Sequence, residues 1–109
     1  MGRVDSPLVI LLYKLEAINM EDIRYITDPS HSYLRVPIKY INNWKLDKKI
    51  SEYSFFNNKY AWLEMDCDAM VFFDALDERG IREPTIYTQT LHDHAYFRLY
   101  PRFFAKETA

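Results

Sequence analysis

Glycine, cysteine and long apolar runs are all scarce in this chain of 109 residues. Gly2 and Gly80 are its only glycines, which excludes the glycine-rich phosphate loops of P-loop and dinucleotide-binding proteins. Its single cysteine, Cys67, cannot form an internal disulfide, so a disulfide framework is excluded and a reducing, cytoplasmic location is expected. The most apolar stretch, residues 8–18, contains two charged residues and falls short of the roughly 20 residues that a membrane helix needs. No membrane association is therefore expected.

Net charge is also small, with 14 basic and 16 acidic residues giving a formal value of −2. This balance supplies neither an overall attraction for nucleic acid nor the charge density of a DNA mimic. Aromatic residues, in contrast, make up 17% of the chain and apolar residues 49%. Such content predicts one globular domain over residues 1–109, with a loose N-terminus at 1–6 and a C-terminal tail at 102–109.

A strand–turn–strand–helix pattern within residues 51–76 organises the predicted fold. Aromatic-rich strands are predicted at residues 52–56 and 60–64, joined by a tight turn at Asn57-Asn58. An amphipathic helix is then predicted from four apolar residues at the spacing i, i+3, i+4, i+7: Ala69, Phe72, Phe73 and Leu76. Asp66 or Asp68 would cap this helix, and Gly80 would end it in the left-handed conformation.

A second hairpin is predicted before this segment, with strands at residues 23–26 and 33–36 around a turn rich in Asp, Pro and Ser. Pro37 would end the second strand and open a short helix over residues 37–43. Residues 8–18 fit either a helix or a buried strand, and both alternatives stay open.

A third hairpin is predicted after the helix, with strands at residues 85–91 and 95–100 and with His92 and His94 near its turn. Runs of strands, rather than strict alternation of strands and helices, indicate an α+β fold. The expected architecture is a mostly antiparallel sheet built from hairpins and packed with two or three short helices.

Three carboxylates alternate at the predicted strand-to-helix corner, at Glu64, Asp66 and Asp68. Hard cations favour such oxygen ligands, but the corner lacks the glycine and distal glutamate of an EF-hand loop, and helix capping is the simpler interpretation. The alternative metal site adds the two histidines of the third hairpin: Glu64, Asp66, Asp68, His92 and His94. Cys67 lies among carboxylates that oppose a thiolate, so no catalytic residue is assigned and no cofactor is expected.

Arginines and tyrosines alternate along several predicted strands and form a second candidate surface. Together with the acidic corner they give the predicted partner-binding residues: Tyr33, Arg35, Tyr96, Arg98, Tyr100, Glu64, Asp66 and Asp68. A shared face of Tyr and Arg is typical of protein interaction hot spots and of platforms for single-stranded nucleic acid. It is equally typical of a solvated sheet face with cation–π pairs.

Several segments resemble small uncharacterised proteins carried by phages, plasmids and other bacterial mobile elements. The similar segments have the family patterns HGYLxVP, ISxYSY and YLEEDCDA, with a fainter echo near the C-terminus: residues 31–37 (HSYLRVP), 50–54 (ISEYS), 60–69 (YAWLEMDCDA) and 96–102 (YFRLYPR). The chain departs from the patterns at three positions: Ser32 for glycine, Phe55 for tyrosine and Met65 for glutamate. The resemblance implies a genomic setting and no particular activity.

The leading hypothesis is a small non-enzymatic binding protein of a bacterial virus or mobile element. It would inhibit a host defence system such as CRISPR or restriction by contact with a host protein or ribonucleoprotein, and direct nucleic-acid binding is not expected. One alternative is a metal-dependent enzyme that acts on a nucleotide or phosphodiester through the acidic corner. The other is a module for single-stranded nucleic acid, and homodimerisation is left open.

Overall fold

The structure is a computed structural model that describes residues 22–103. The loose terminus at 1–6, the helix-or-strand alternative at 8–18 and the tail beyond residue 103 lie outside the described residues. Within the described range the sheet has these strands: β1 (Arg24–Thr27), β2 (Ser32–Pro37), β3 (Phe55–Phe56), β4 (Tyr60–Glu64) and β5 (Tyr87–Thr90). The same range contains helices α1 (Ile38–Asn43) and α2 (Ala69–Glu78), and 3-10 helices at Asp47–Lys49 and Tyr96–Leu99.

The strand order is β3-β4-β2-β1-β5, and each neighbouring pair is antiparallel except β1 and β5. The predicted α+β class with a mostly antiparallel sheet is thereby confirmed. None of the helices within residues 22–103 is long and apolar enough to cross a membrane.

The two hairpins predicted at residues 23–36 and 52–64 are present, although β3 is shorter than expected. Asn57 makes the second turn, because its side-chain oxygen accepts hydrogen bonds from the backbone N–H groups of Lys59 (2.8 Å) and Tyr60 (2.7 Å). Helix α1 begins at Ile38, directly after Pro37, as predicted to within one residue. Gly80 follows α2 with a φ of +67°, and the Ile81 N–H donates back to the Leu76 carbonyl, which confirms the predicted helix end.

The prediction that an aspartate side chain caps α2 is wrong. Asp68 occupies the N-cap position but makes no side-chain capping bond. Its carboxylate instead accepts hydrogen bonds from the Ser51 N–H (3.0 Å), the Ser51 hydroxyl (2.7 Å) and the Ser54 hydroxyl (2.5 Å). The donors to the Asp68 side chain come from the loop before β3, so Asp68 joins this loop to α2.

The predicted third hairpin is also wrong. Strand β5 pairs in parallel with β1, and residues 96–99 form a 3-10 helix instead of a returning strand. Alternating Tyr, Phe, Arg and Leu fits a strand period, but a 3-10 helix with three residues per turn also buries one residue and exposes its neighbours. Contacts with the turn between β1 and β2, 64 or more residues away in sequence, select the second arrangement.

Apolar side chains cover both faces of the sheet. On one face the sheet packs against α1 and α2 through buried residues that include Leu34, Val36, Leu63, Ile41, Phe72 and Leu76. On the other face Ile26, Tyr33, Phe55 and Trp62 contact Ala95 and Phe97. The Phe97 and Trp62 rings stack with centroids 4.9 Å apart and an interplanar angle of 10°. Phe103, within the predicted C-terminal tail, is buried beside Phe56.

We predict that Phe97→Ala destabilises the protein by about 3–5 kcal/mol, because it removes a fully buried ring from the second face. Leu99→Ala is the matched control, since Leu99 is 92% exposed and its truncation is expected to change stability by less than about 0.5 kcal/mol. Urea unfolding of both variants measures the difference. Equal destabilisation would contradict the 3-10 arrangement, because a strand would place residues 97 and 99 on one face.

Candidate binding site

A buried carboxylate in the turn between β1 and β2 holds the 95–98 segment against the sheet. Asp28 Oδ1 accepts hydrogen bonds from the backbone N–H groups of Ser30 and His31, both at 2.8 Å. Its Oδ2 accepts from the Ala95 N–H at 2.9 Å and pairs with Arg98 Nη2 at 3.1 Å. Turn and 3-10 helix are therefore joined through one side chain.

The pKa of Asp28 reflects this set of donors. Burial by itself raises the pKa of the carboxyl, but the N–H donors of Ala95, His31 and Ser30 and the charge of Arg98 lower it further than burial raises it. The resulting pKa is about 2, compared with an ordinary value of 3.8. Asp28 is thus ionised in the folded protein at neutral pH and matches the Arg98 charge.

The same arginine orients a histidine. Arg98 Nη2 lies 2.9 Å from Nδ1 of His31. Because a guanidinium can only donate, Nδ1 must accept, and the proton of a neutral His31 ring is on Nε2. The Arg98 Nε–H is buried and lacks a partner among the described residues. Both groups keep a donor that is not used within this network.

A cleft of about 420 Å³ opens beside this network. Its lining combines aromatic, basic and acidic side chains with one thiol: Tyr33, Tyr53 and Phe55; His31, Arg98 and Arg102; Glu64 and Asp66; and Cys67. The sheet register explains part of the grouping, because Tyr33 and Glu64 are cross-strand partners and Phe55 is bridged to Arg102. The lining contains two arginines and two carboxylates, and one of the arginines, Arg98, is also paired with the buried Asp28 carboxylate.

The acidic corner divides into three different environments. Glu64 is buried, and its Oε1 accepts hydrogen bonds from the N–H groups of Asp66 (2.8 Å) and Cys67 (3.0 Å). Asp68 is buried against Ser51 and Ser54, whereas Asp66 is exposed at the cleft. Among the described residues, no three His, Cys, Asp or Glu side chains are grouped so that they could hold a metal ion.

Cys67 is exposed at the cleft but is held as a thiol. Desolvation and a hydrogen bond with the Glu64 carboxylate raise the pKa of the Cys67 thiol, and the charges of Glu64, Asp68 and Asp66 raise it further. Since the thiolate is the nucleophilic form, this environment lowers the reactivity of the sulfur.

The structure brings together half of the predicted partner-binding residues. Tyr33, Arg98, Glu64 and Asp66 line the cleft, and Asp68 lies behind it. The remaining predicted residues lie elsewhere: Arg35 stacks on Tyr60 at 4.2 Å, Tyr100 contacts the Trp62 ring at 5.3 Å, and Tyr96 is 55% exposed. His92 and His94 are exposed and do not line the cleft, although His94 Nδ1 lies 3.5 Å from the Ser30 hydroxyl.

Five lining residues were not predicted as site residues: His31, Tyr53, Phe55, Cys67 and Arg102. All of them except Phe55 lie in residues 31–37, 50–54, 60–69 and 96–102, and each of these four segments contributes to this one cleft. Chemistry read from single positions does not show that these segments meet.

A protruding apolar pair adjoins the cleft on the 3-10 helix. In such a helix residues i and i+3 are eclipsed, so Tyr96 and Leu99 lie on one side of it. Tyr96 is 55% exposed and Leu99 is 92% exposed, while Phe97 between them is fully buried. We refer to the residues Tyr96–Leu99 as the knob.

No protein-family model matches the chain, and comparison with curated proteins and with solved structures finds no match either.

We predict that Asp28→Asn removes a pH dependence of stability between about pH 4 and pH 2. The folded pKa of Asp28, about 2, is below the ordinary 3.8, so its contribution is fully present above pH 4 and is lost as the pH falls toward 2. Thermal melting from pH 7 to pH 2 measures this, with Asp74→Asn on the exposed face of α2 as the charge-matched control. An unchanged pH profile in Asp28→Asn would contradict the proposed role of the carboxylate.

We predict that Cys67 reacts with iodoacetamide at pH 7.5 more slowly than a free cysteine in a short peptide, because its raised pKa leaves less thiolate. Asp66→Asn removes one of the opposing charges and should speed alkylation. Mass spectrometry over time gives both rates. Faster reaction of the wild-type thiol than of the peptide would show that the carboxylates do not control it.

Proposed function

We propose that this protein is a small non-enzymatic binding protein of a bacterial virus or other mobile element, which inhibits a host defence system such as CRISPR or restriction by contact with a host protein or ribonucleoprotein. The observation that carries the proposal is the knob, where a nearly fully exposed leucine stands beside an exposed tyrosine. The genomic setting comes from the sequence resemblance of residues 31–37, 50–54 and 60–69.

The distribution of exposed apolar residues supports a contact through this region. Large apolar side chains that are well exposed in the described range are few: Tyr53, Met70, Tyr87, Tyr96 and Leu99. Tyr96 and Leu99 lie one turn apart on the knob, and Tyr53 lines the cleft to which Arg98 of the knob also contributes. Burying a leucine side chain in a partner contributes about 1.5–3 kcal/mol, and tyrosine and arginine are typical hot-spot residues.

The knob is also held in place before any partner binds. Asp28 fixes its first turn through the Ala95 N–H and Arg98, and Phe97 anchors it in the core by stacking on Trp62. A segment that is already ordered loses less conformational entropy on binding. This favours a docking element over a surface loop without a role.

Chemistry at the cleft favours binding over catalysis. The Glu64 and Asp68 carboxylates are engaged by N–H and hydroxyl donors, and the raised pKa of Cys67 disfavours a nucleophilic thiolate. No observation among the described residues favours the metal-dependent enzyme over a binding protein.

We predict that Leu99→Asp abolishes inhibition of host defence, because it places a charge where the partner would bury an apolar side chain. Phage plating on bacteria that carry a restriction or CRISPR system measures the effect. The wild-type protein should restore plating at least about tenfold against a susceptible system, and Leu99→Asp should not.

The matched control is Met70→Asp, which changes an exposed apolar residue on α2 away from the knob. It should inhibit as well as the wild type, and circular dichroism should show that both variants are folded. The proposal fails if no defence system responds to the wild-type protein, or if the two variants lose inhibition equally.

A further inference from the structure

We propose that the cleft binds a nucleotide, with its phosphate at Arg102, its base beside Tyr53, and an amino group of the base at Asp66. This site goes beyond the proposed contact through the knob and does not depend on it. The volume of about 420 Å³ lies in the range of pockets that take small organic ligands.

The phosphate end is supported by a guanidinium with unused donors. Arg102 has no ion pair among the described residues, and its guanidinium stacks on Phe55 at 4.8 Å while Nη1 donates to the Glu52 carbonyl at 3.1 Å. Stacking and this hydrogen bond orient the planar group and leave its other N–H donors for an oxyanion. Arg98 also lines the cleft, with its charge matched by Asp28, and His31 adds an Nε2–H in its neutral form.

The base end is supported by an exposed ring and a carboxylate. Tyr53 is 56% exposed at the cleft, so its ring is accessible for stacking with a nucleobase. Such stacking contributes about 1–3 kcal/mol per base. Asp66 is exposed in the same cleft and has no ion pair with another described residue, and a carboxylate accepts hydrogen bonds from amino groups such as N4 of cytosine.

The mixture of charges in the lining favours a nucleotide over a simple anion. Glu64 and Asp66 would repel a bare anion and offset the attraction of Arg102, since the charge of Arg98 is already matched by Asp28. A nucleotide has an anionic phosphate at one end and hydrogen-bond donors on its base at the other, which is the combination that the lining matches. The chemistry is the same for a free mononucleotide and for a nucleotide within a single strand.

Isothermal titration calorimetry with AMP, CMP, GMP, UMP and a five-nucleotide single-stranded DNA tests the site on the full chain. At least one of these probes should bind with a dissociation constant below about 100 μM. Arg102→Gln should weaken binding about tenfold, the loss expected for one charge-assisted hydrogen bond. Arg82→Gln, at an exposed position outside the cleft lining, is the matched control and should bind like the wild type.

Two comparisons connect each residue to one end of the ligand. Arg102→Gln should lower affinity for a nucleoside monophosphate but not for the corresponding nucleoside, since the nucleoside lacks the phosphate. Asp66→Asn should reduce any preference for CMP over UMP, because uracil carries no amino group. Tyr53→Ala should weaken all probes, and Tyr53→Phe should restore them, since the stacking ring is kept.

Binding of the mononucleotides supports a free nucleotide as the ligand, and binding of the oligonucleotide alone supports a nucleotide within a strand. The proposal is overturned if no probe binds at 1 mM, or if Arg102→Gln and Arg82→Gln bind alike. Because Leu99 is unchanged in all these variants, failure here would leave the contact through the knob untouched, and the reverse also holds.

Discussion

A single buried carboxylate, Asp28, determines how the last part of the described chain meets the sheet. Its four donors come from its own turn and from residues 95 and 98, so it joins segments 67 to 70 positions apart in sequence. An unpaired buried carboxylate would be strongly destabilising, so this turn needs the later segment as much as the later segment needs the turn. The 3-10 helix at Tyr96–Leu99, the stacking of Phe97 on Trp62 and the position of Arg98 in the cleft all depend on this contact.

A second set of hydrogen bonds holds the part of the cleft formed by the corner between β4 and α2. The Asp68 carboxylate accepts hydrogen bonds from the Ser51 and Ser54 hydroxyls, and the Ser54 hydroxyl accepts one from the Glu64 N–H at 2.9 Å. The Glu64 carboxylate in turn accepts hydrogen bonds from the N–H groups of the two residues that begin the corner, Asp66 and Cys67. Two of the three corner carboxylates are thus used to fix the backbone between β4 and α2. Only Asp66 is left exposed, and it owes its position at the cleft to the other two.

Local sequence patterns predicted those parts of the fold that local physics decides. The helix at Ala69–Glu78 follows from its apolar spacing, its end from Gly80, and the first two hairpins from turn residues and aromatic strands. The prediction of a third hairpin is wrong because the pattern of residues 96–100 fits both the period of a strand and that of a 3-10 helix. Which of the two forms depends on Asp28, a residue distant in sequence that leaves no local pattern. The prediction that Asp68 caps α2 is wrong for the same reason, because the serines that bond its carboxylate lie 14 and 17 positions away in sequence.

The same limit explains why four of the nine residues that line the cleft were predicted. Residue type alone selects carboxylates, tyrosines and arginines, and it identifies Glu64, Asp66 and Arg98 correctly. It cannot show that the Arg35 side chain packs on Tyr60 while the Arg102 side chain lines the cleft. One segment, residues 95–103, closes the core with Phe97 and Phe103, supplies both cleft arginines and presents Leu99. Core packing therefore fixes the spacing of every exposed group on that segment. Because the segment that carries the exposed groups also packs in the core, these groups are held rigidly. They cannot move without disturbing the packing of the core beneath them.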